Sequence, residues 1–139
     1  MKRVFLDTNV LLDILLRRDP FYAAAAKIWL KVESREVEGL VSLVSLGTIS
    51  YLVRKRTDPN AAREALNTIC RVLQIADCPG QAGRMALQSH MLDFEDALQY
   101  AIATLAGADC LVTRNPSDFP KRGKVPVLTP EDFLSHEFR

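Results

Sequence analysis

The sequence predicts an α/β protein built around a small parallel sheet of about five strands. Five short apolar segments alternate with segments of helical pattern, at about 2–6, 39–43, 73–77, 109–113 and 125–128. This alternation is typical of a parallel sheet covered by helices on both faces. The first segment is apolar throughout, as expected for a strand buried on both sides. Most of the segments are followed directly by a helix start signal.

Helix starts are marked by polar residues that precede a proline. Asp19 and Asp58 each place a capping carboxylate before a proline at the first helical position. Thr129 precedes Pro130 in the same way, with Asp132 where a capping box has an acid. After Asp58, apolar residues recur at spacings of three and four, which predicts an amphipathic helix.

The composition is that of an ordinary globular protein. The 139 residues fit one domain, so we expect a single domain over 1–139. The net charge is only +1, so any contact with nucleic acid must come from local basic patches. The three cysteines lack the spacing of a disulfide framework or zinc site. No stretch approaches the ~20 apolar residues of a membrane span. We therefore expect a cytoplasmic protein without a membrane anchor.

Polar side chains follow two of the predicted strands. Asp7 ends the first apolar run, where a carboxylate is costly to bury without a partner. The loop at 113–118 follows the fourth strand and carries Thr, Asn and Asp. Parallel strands present their carboxyl ends at one edge, so Asp7 and this loop are neighbours if their strands are adjacent. The simpler alternatives are that Asp7 only caps a helix and that the loop is an ordinary turn.

A third acidic group opens the helix that ends near Gly107. Asp93 and Asp96 are three residues apart and share a face of this helix. Glu95 points off that face and fits best as an acid favoured by the helix dipole. Converging carboxylates raise one another's pKa unless a divalent cation is present. Oxygen ligands without His or Cys select Mg²⁺ or Mn²⁺. The metal candidates are Asp7, Asp93, Asp96 and Asp118. Such a site hydrolyses phosphodiester bonds with a metal-activated water.

Taken together, four motifs resemble those of PIN-domain ribonucleases, the fold of the VapC-type toxins of bacterial toxin–antitoxin pairs. They are VFLDTNV at 4–10, DFEDA at 93–97, LVTRN at 111–115 with the Asp-Phe pair at 118–119, and VLTPE at 127–131. The resemblance spans essentially the whole chain. It implies a three-layer α/β/α sandwich with an acidic Mg²⁺ or Mn²⁺ site. It also implies a metal-dependent endoribonuclease that cuts RNA, an antitoxin partner and a homodimer.

The resemblance also assigns roles to individual residues. By position, Asp7 matches the family's first acid and Asp96 its third, and the last acid falls on Asn115 or Asp118. Asp96 is favoured over Asp93 as a metal ligand because the family's third acid is commonly followed by Ala. Small hydroxyl residues match those that line the family's site. The candidate catalytic residues are therefore Asp7, Thr8, Asp96, Thr113, Asn115 and Asp118.

Thr48 departs from the family pattern, because PIN nucleases usually carry an acid on the helix after the second strand. That helix contains no acid here, and Asn115 stands where many members have Asp. The resemblance then implies two or three carboxylates and one metal. The alternative is a degenerate PIN domain that binds RNA or a protein without cutting. A phosphotransfer domain with Asp7 as nucleophile is a weaker third possibility, since its site wants a second Asp at position 9, which is Asn.

Basic and aromatic side chains could contact an RNA strand. Cations flanking an acidic centre suit a polyanion, because they hold backbone phosphates. The predicted RNA-binding residues are Arg54, Lys55, Arg56, Arg114, Lys121 and Arg122. For the first three, stabilisation of a helix C-terminus is an equal alternative. Aromatic residues could stack on unpaired bases or pack in the core: Tyr51, Tyr100 and Phe119. An apolar patch for an antitoxin or a second copy could come from Phe21, Tyr22, Ile28 and Trp29.

Overall fold

The computed structural model describes residues 1–135, which form five strands and seven α-helices. In chain order the elements are β1 (Arg3–Leu6), α1 (Thr8–Leu15), α2 (Tyr22–Glu33), β2 (Glu38–Val41), α3 (Leu43–Arg56), α4 (Pro59–Val72), β3 (Gln74–Ile75), α5 (Gly80–Gln88), α6 (Phe94–Leu105), β4 (Cys110–Val112), β5 (Val127–Leu128) and α7 (Pro130–Ser135). A 3₁₀ turn at Pro116–Asp118 lies between β4 and β5. No helix within these residues is long and apolar enough to cross a membrane.

The five strands form one parallel sheet in the order β3-β2-β1-β4-β5. Each predicted strand is present, although β3 and β5 have only two residues. Strand β1 lies at the centre, and its Leu6 is paired with Val112 of β4. The chain moves outward from β1 on one side and returns to its other side with β4. Strand order therefore reverses beside Asp7, and such switch points are where ligands bind in open α/β sheets.

Two hydrophobic clusters lie on opposite faces of the sheet. Val4 and Leu6 belong to the cluster that contains α1, α2, α4 and α7. Phe5, between them in β1, belongs to the cluster built with α5 and α6. All three side chains are fully buried, because successive residues of a strand point to opposite faces. This arrangement confirms the predicted three-layer α/β/α architecture.

The helix caps agree with the sequence at two of three positions. Asp58 accepts a hydrogen bond from the Ala61 backbone N–H at 2.9 Å, and Thr129 Oγ1 accepts one from Asp132 N–H at 3.0 Å. The predicted cap at Asp19 is wrong: α2 begins at Tyr22, and no side chain caps it. Two backbone N–H groups, of residues 21 and 22, donate to the Arg18 carbonyl instead. Because of this turn, α2 begins two residues after Pro20, at Tyr22.

Candidate active site

Asp7 occupies the carboxyl end of β1 and is only 6% exposed. Its Oδ1 accepts hydrogen bonds from Thr8 N–H at 2.9 Å and from Gln99 Nε2 at 3.1 Å. Its Oδ2 accepts one from Thr113 Oγ1 at 2.8 Å. Asp7 therefore caps α1, as the simpler alternative proposed, and is also held by side chains from α6 and from the loop after β4. Each carboxylate oxygen keeps a fixed direction as a result.

Gln99 links three elements around Asp7 and is 1% exposed. Its Nε2 also donates to Ser45 Oγ at 2.8 Å, and its Oε1 accepts a hydrogen bond from Ser42 Oγ. Ser45 Oγ in turn lies 2.7 Å from Thr8 Oγ1. The sequence reasoning missed Gln99 and both serines. The one available signal was that Gln99 lies three residues after Asp96 on an otherwise apolar helix face.

Thr113 ties the loop after β4 to the start of α1. Besides donating to Asp7, its Oγ1 accepts hydrogen bonds from Asn115 N–H at 3.2 Å and Asn9 Nδ2 at 3.4 Å. Asn9 Oδ1 accepts a further bond from Arg114 N–H at 3.3 Å. Thr113 was predicted to line the site, whereas the role of Asn9 in holding this loop was not foreseen. The contacts fix the direction in which the chain leaves β4.

The predicted acids lie near enough to Asp96 for their charges to act on it. The pKa of Asp96 is raised to about 6, first by burial and then by the negative charges of Asp93, Asp7, Asp118 and Glu95. Within residues 1–135, no Lys or Arg side chain forms an ion pair with any of these acids. The cluster is therefore negative and has no internal cation to balance it.

Two acids of α6 have different local tasks from those expected. Asp93 is the N-cap of the helix, because its Oδ1 accepts a hydrogen bond from Asp96 N–H at 2.9 Å. Glu95 was expected to point off the Asp93/Asp96 face as an acid favoured at the helix N-terminus, and it does lie in the first turn of α6. In addition, Glu95 Oε1 lies 3.4 Å from Thr48 Oγ1, which donates to it from α3. Capping thus falls to Asp93, and Glu95 bridges two helices.

The donor set fits a hard divalent cation by its chemistry. The Thr113 hydroxyl contacts Asp7, the charges of Asp7 and Asp118 act on Asp96, and within residues 1–135 these acids form no ion pair with Lys or Arg. No three His, Cys, Asp or Glu side chains in the described part of the chain are arranged to hold a metal ion together. Mg²⁺ does not need such a cage, because it commonly binds through one or two carboxylates and keeps several waters. Asp7 and Asp96 are the carboxylates that would hold it, and the charge of Asp118, which acts on Asp96, would add to the negative potential there.

Arg114 packs inward, against Asp13 of α1. Its Nε lies 2.8 Å from Asp13 Oδ2, and its guanidinium carbon lies 4.1 Å from the centre of the Phe21 ring. Asp13 is 1% exposed, and burial raises its pKa although Arg114 and Arg18 favour the charged form. The contacts join the loop after β4 to α1 and the start of α2. Of the predicted apolar patch, Ile28 is fully buried in the core.

The other predicted RNA-binding residues are exposed and lie in two places. Lys121 and Arg122 follow Asp118 in the loop before β5. The basic residues at 54–56 lie at the far end of α3, about 9–12 Å along the helix from Thr48. Lys55 Nζ lies 5.9 Å from the centre of the exposed Tyr51 ring. The first group therefore lies close in the chain to an acid of the cluster, and the second lies along α3 from Thr48.

A cavity of about 810 Å³ adjoins the acid cluster. Asp96 and Asp118 line it together with Tyr100, Phe119 and Lys124. The Tyr100 hydroxyl donates to the Val125 carbonyl at 2.9 Å and accepts from Val125 N–H at 3.0 Å, so this ring is fixed in place. Phe119 is 5% exposed and belongs mainly to the core.

A family model described as PIN domain matches residues 3–117. No curated protein is significantly similar to the chain. A chain of DNA-bound VapBC from Salmonella typhimurium is 16% identical, with a TM-score of 0.72 over 94% of this chain and 99% of that one. One chain of a toxin–antitoxin complex from Klebsiella pneumoniae is 25% identical, with a TM-score of 0.68 over 91% and 97%. The sarcin–ricin loop cleaving toxin VapC20 of Mycobacterium tuberculosis is 21% identical, with a TM-score of 0.62 over 78% and 86%.

Proposed function

We propose that this chain, which belongs to the PIN domain family, is a metal-dependent endoribonuclease and the toxin of a toxin–antitoxin pair. The observation that carries the proposal is the group of acids around Asp96 at the switch point of the sheet, which form no ion pair with Lys or Arg within residues 1–135. The pKa of Asp96 is raised to about 6, first by burial and then by the charges of the other acids, so a charged Asp96 is unfavourable at neutral pH without a metal. A bound Mg²⁺ or Mn²⁺ would stabilise the charged form.

Some residues of the site would hold the ion, and others orient the Asp7 carboxylate. A bound divalent ion supplies an activated water near neutral pH and offsets charge on the phosphate. Asp7 and Asp96 would hold the ion, and Asp118 or Asn115 would complete its surroundings. Gln99 and Thr113 keep the Asp7 carboxylate in one orientation through their hydrogen bonds.

An RNA strand is the substrate that best suits the surroundings of the acids. The exposed Lys121 and Arg122 are placed to hold backbone phosphates beside Asp118. Lys124 offers a third cation at the edge of the adjoining cavity. The similarity to VapC20, a toxin that cleaves the sarcin–ricin loop, supports RNA as the substrate. We propose that Arg114 serves mainly to anchor the loop.

We also propose an antitoxin partner and a homodimer. The structural similarity to chains from toxin–antitoxin complexes supports the antitoxin. Exposed apolar side chains offer contact surface for either partner: Leu43, Tyr51, Leu92 and Phe94.

Cleavage of a structured RNA pool, with Mg²⁺, with Mn²⁺ or with a chelator, tests the proposal. We expect metal-dependent cleavage by the wild-type protein and none by Asp7→Asn or Asp96→Asn. Asp109→Asn is the control, because Asp109 is a surface acid at the opposite edge of the sheet, where it accepts a hydrogen bond from Arg3 N–H. Its cleavage rate should match the wild type.

Two results would contradict the nuclease proposal. Cleavage that survives in Asp7→Asn would point to a contaminating enzyme. RNA binding without any metal-dependent cleavage would favour the degenerate PIN domain that Thr48 makes the principal alternative.

A further inference from the structure

We propose that Glu95 supplies the negative charge that α3 lacks at the cation site. The inference rests on the proposed function, since it concerns how the same site holds its metal. It assigns a further role to a residue whose position in the sequence predicts only a favourable charge at the helix N-terminus.

The Glu95 carboxylate contacts Thr48, the residue of α3 that stands where an acid is missing. Thr48 Oγ1 donates to Glu95 Oε1 at 3.4 Å, so the two helices meet at this pair. A carboxylate carried by α6 therefore lies beside the α3 residue that replaces the usual acid. The hydroxyl of Thr48 provides a donor that a carboxylate at position 48 would not.

The same carboxylate acts on the rest of the cluster. The charge of Glu95 is one of those that raise the pKa of Asp96. The side chain is exposed, and among residues 1–135 no Lys or Arg pairs with it. Within the described residues it therefore has no competing cation, and its Oε1 is held at Thr48. The Asp93 carboxylate is held at the N-terminus of α6 by Asp96 N–H and, within residues 1–135, makes no hydrogen bond to α3, whereas Glu95 does.

Glu95 is accordingly a positioning residue that would add negative charge beside the ion and could accept a hydrogen bond from a water bound to it. Mutation of residues that hydrogen-bond to the groups bound to a metal commonly lowers metal affinity by about 10- to 100-fold. In this way a site with Thr48 would retain a divalent ion. An acid at position 48 of α3 should therefore replace the one at position 95 of α6.

The test is calorimetric titration with Mn²⁺ alone, without RNA, on five proteins. They are the wild type, Glu95→Gln, the double variant Thr48→Glu with Glu95→Gln, Glu131→Gln and Asp7→Asn. Glu131 is the matched control, since it is also an acid in a helix first turn but is not among the charges that act on Asp96. Thermal unfolding of each protein without metal checks that it is folded.

We expect Glu95→Gln to weaken Mn²⁺ binding by about tenfold. The double variant should recover most of the loss, and Glu131→Gln should bind as the wild type does. Equal affinities for wild type and Glu95→Gln, or a double variant no better than Glu95→Gln, would overturn the inference while leaving the proposed function standing. If the wild type binds no Mn²⁺, or if Asp7→Asn binds as tightly as the wild type, the proposed function fails and this inference fails with it.

Discussion

At the scale of single residues, Asp7 shows that capping and site roles are compatible. Its Oδ1 caps α1 while both oxygens are oriented by Gln99 and Thr113. The sequence could predict Asp7 and Asp118 because strand ends can be recognised from short apolar runs. It could not predict Gln99, since its role depends on how α6 is rotated against the sheet. The sequence pattern of a helix does not distinguish a buried glutamine from an exposed polar residue.

Replacement of Gln99 by Leu should weaken both stability and the site. The change leaves Asp7, Ser42 and Ser45 without their shared partner in a buried setting. Loss of such a partner costs about 1–3 kcal/mol. Urea unfolding would measure it, with Gln88→Leu, an exposed position at the end of α5, as the control that stays near wild type. A stability of Gln99→Leu equal to that of the control would refute the network's importance.

The pKa of Asp96 predicts a pH-dependent stability. Its folded value is about 6, above its ordinary value of 3.8, so the folded state holds the proton more tightly. Stability contributed by this group is therefore present at low pH and is lost as pH rises from about 4 to 6. In a chelator, Asp96→Asn should melt higher than the wild type at pH 7 and about equally at pH 4. Melting curves at both pH values test this, and a variant less stable at pH 7 would oppose it.

At the scale of elements, close contacts of Tyr100 with Gly123 and Val125 fix the loop between β4 and β5. Tyr100 of α6 bonds to both backbone groups of Val125. A Cβ added at Gly123 would lie 1.8 Å from the Tyr100 hydroxyl oxygen. The sequence indicated an irregular stretch here, but the contact that shapes it joins residues far apart in the chain. No local pattern could reveal it.

Gly123→Ala should break the bonds of Tyr100 to Val125 and move the wall of the cavity. We expect a loss of about 1–3 kcal/mol in the free energy of unfolding. Gly83→Ala in α5 is the opposite control, because a Cβ there meets nothing within 4 Å. Alanine should stabilise that helix by about 0.5–1 kcal/mol. Denaturant unfolding measures the change in the free energy of unfolding for both variants. A Gly123→Ala variant as stable as the wild type would show that the loop adapts freely.

Arg114 and Arg122 offer a comparison between two basic residues of the same region. Arg114→Ala removes the close partner of the buried Asp13 and should cost more than about 2 kcal/mol of stability. Arg122→Ala should leave stability unchanged, since Arg122 is exposed, and should weaken RNA binding and reduce its salt dependence. Unfolding and salt-dependent RNA binding of both variants distinguish the roles. Equal stabilities would contradict the anchoring role of Arg114.

At the scale of the whole molecule, the parallel sheet explains why distant motifs converge. Asp7 and the loop after β4 become neighbours because β1 and β4 pair with Leu6 beside Val112. Alternation of strands and helices sufficed to predict this edge and hence the acids that line it. The exact caps, the hydrogen bonds of Gln99 and the placement of Glu95 depend on side-chain packing. That information is spread over several elements and does not appear in any one segment.

The central claim is that the crowded acids at this edge are built to hold a divalent cation. Its most direct test is an NMR titration of the Asp96 carboxyl, first in a chelator and then with saturating Mg²⁺. Without the ion the pKa should be about 6, and with Mg²⁺ it should fall well below that value because the ion favours the charged form. An Asp96 pKa that does not change when Mg²⁺ is added would contradict the account.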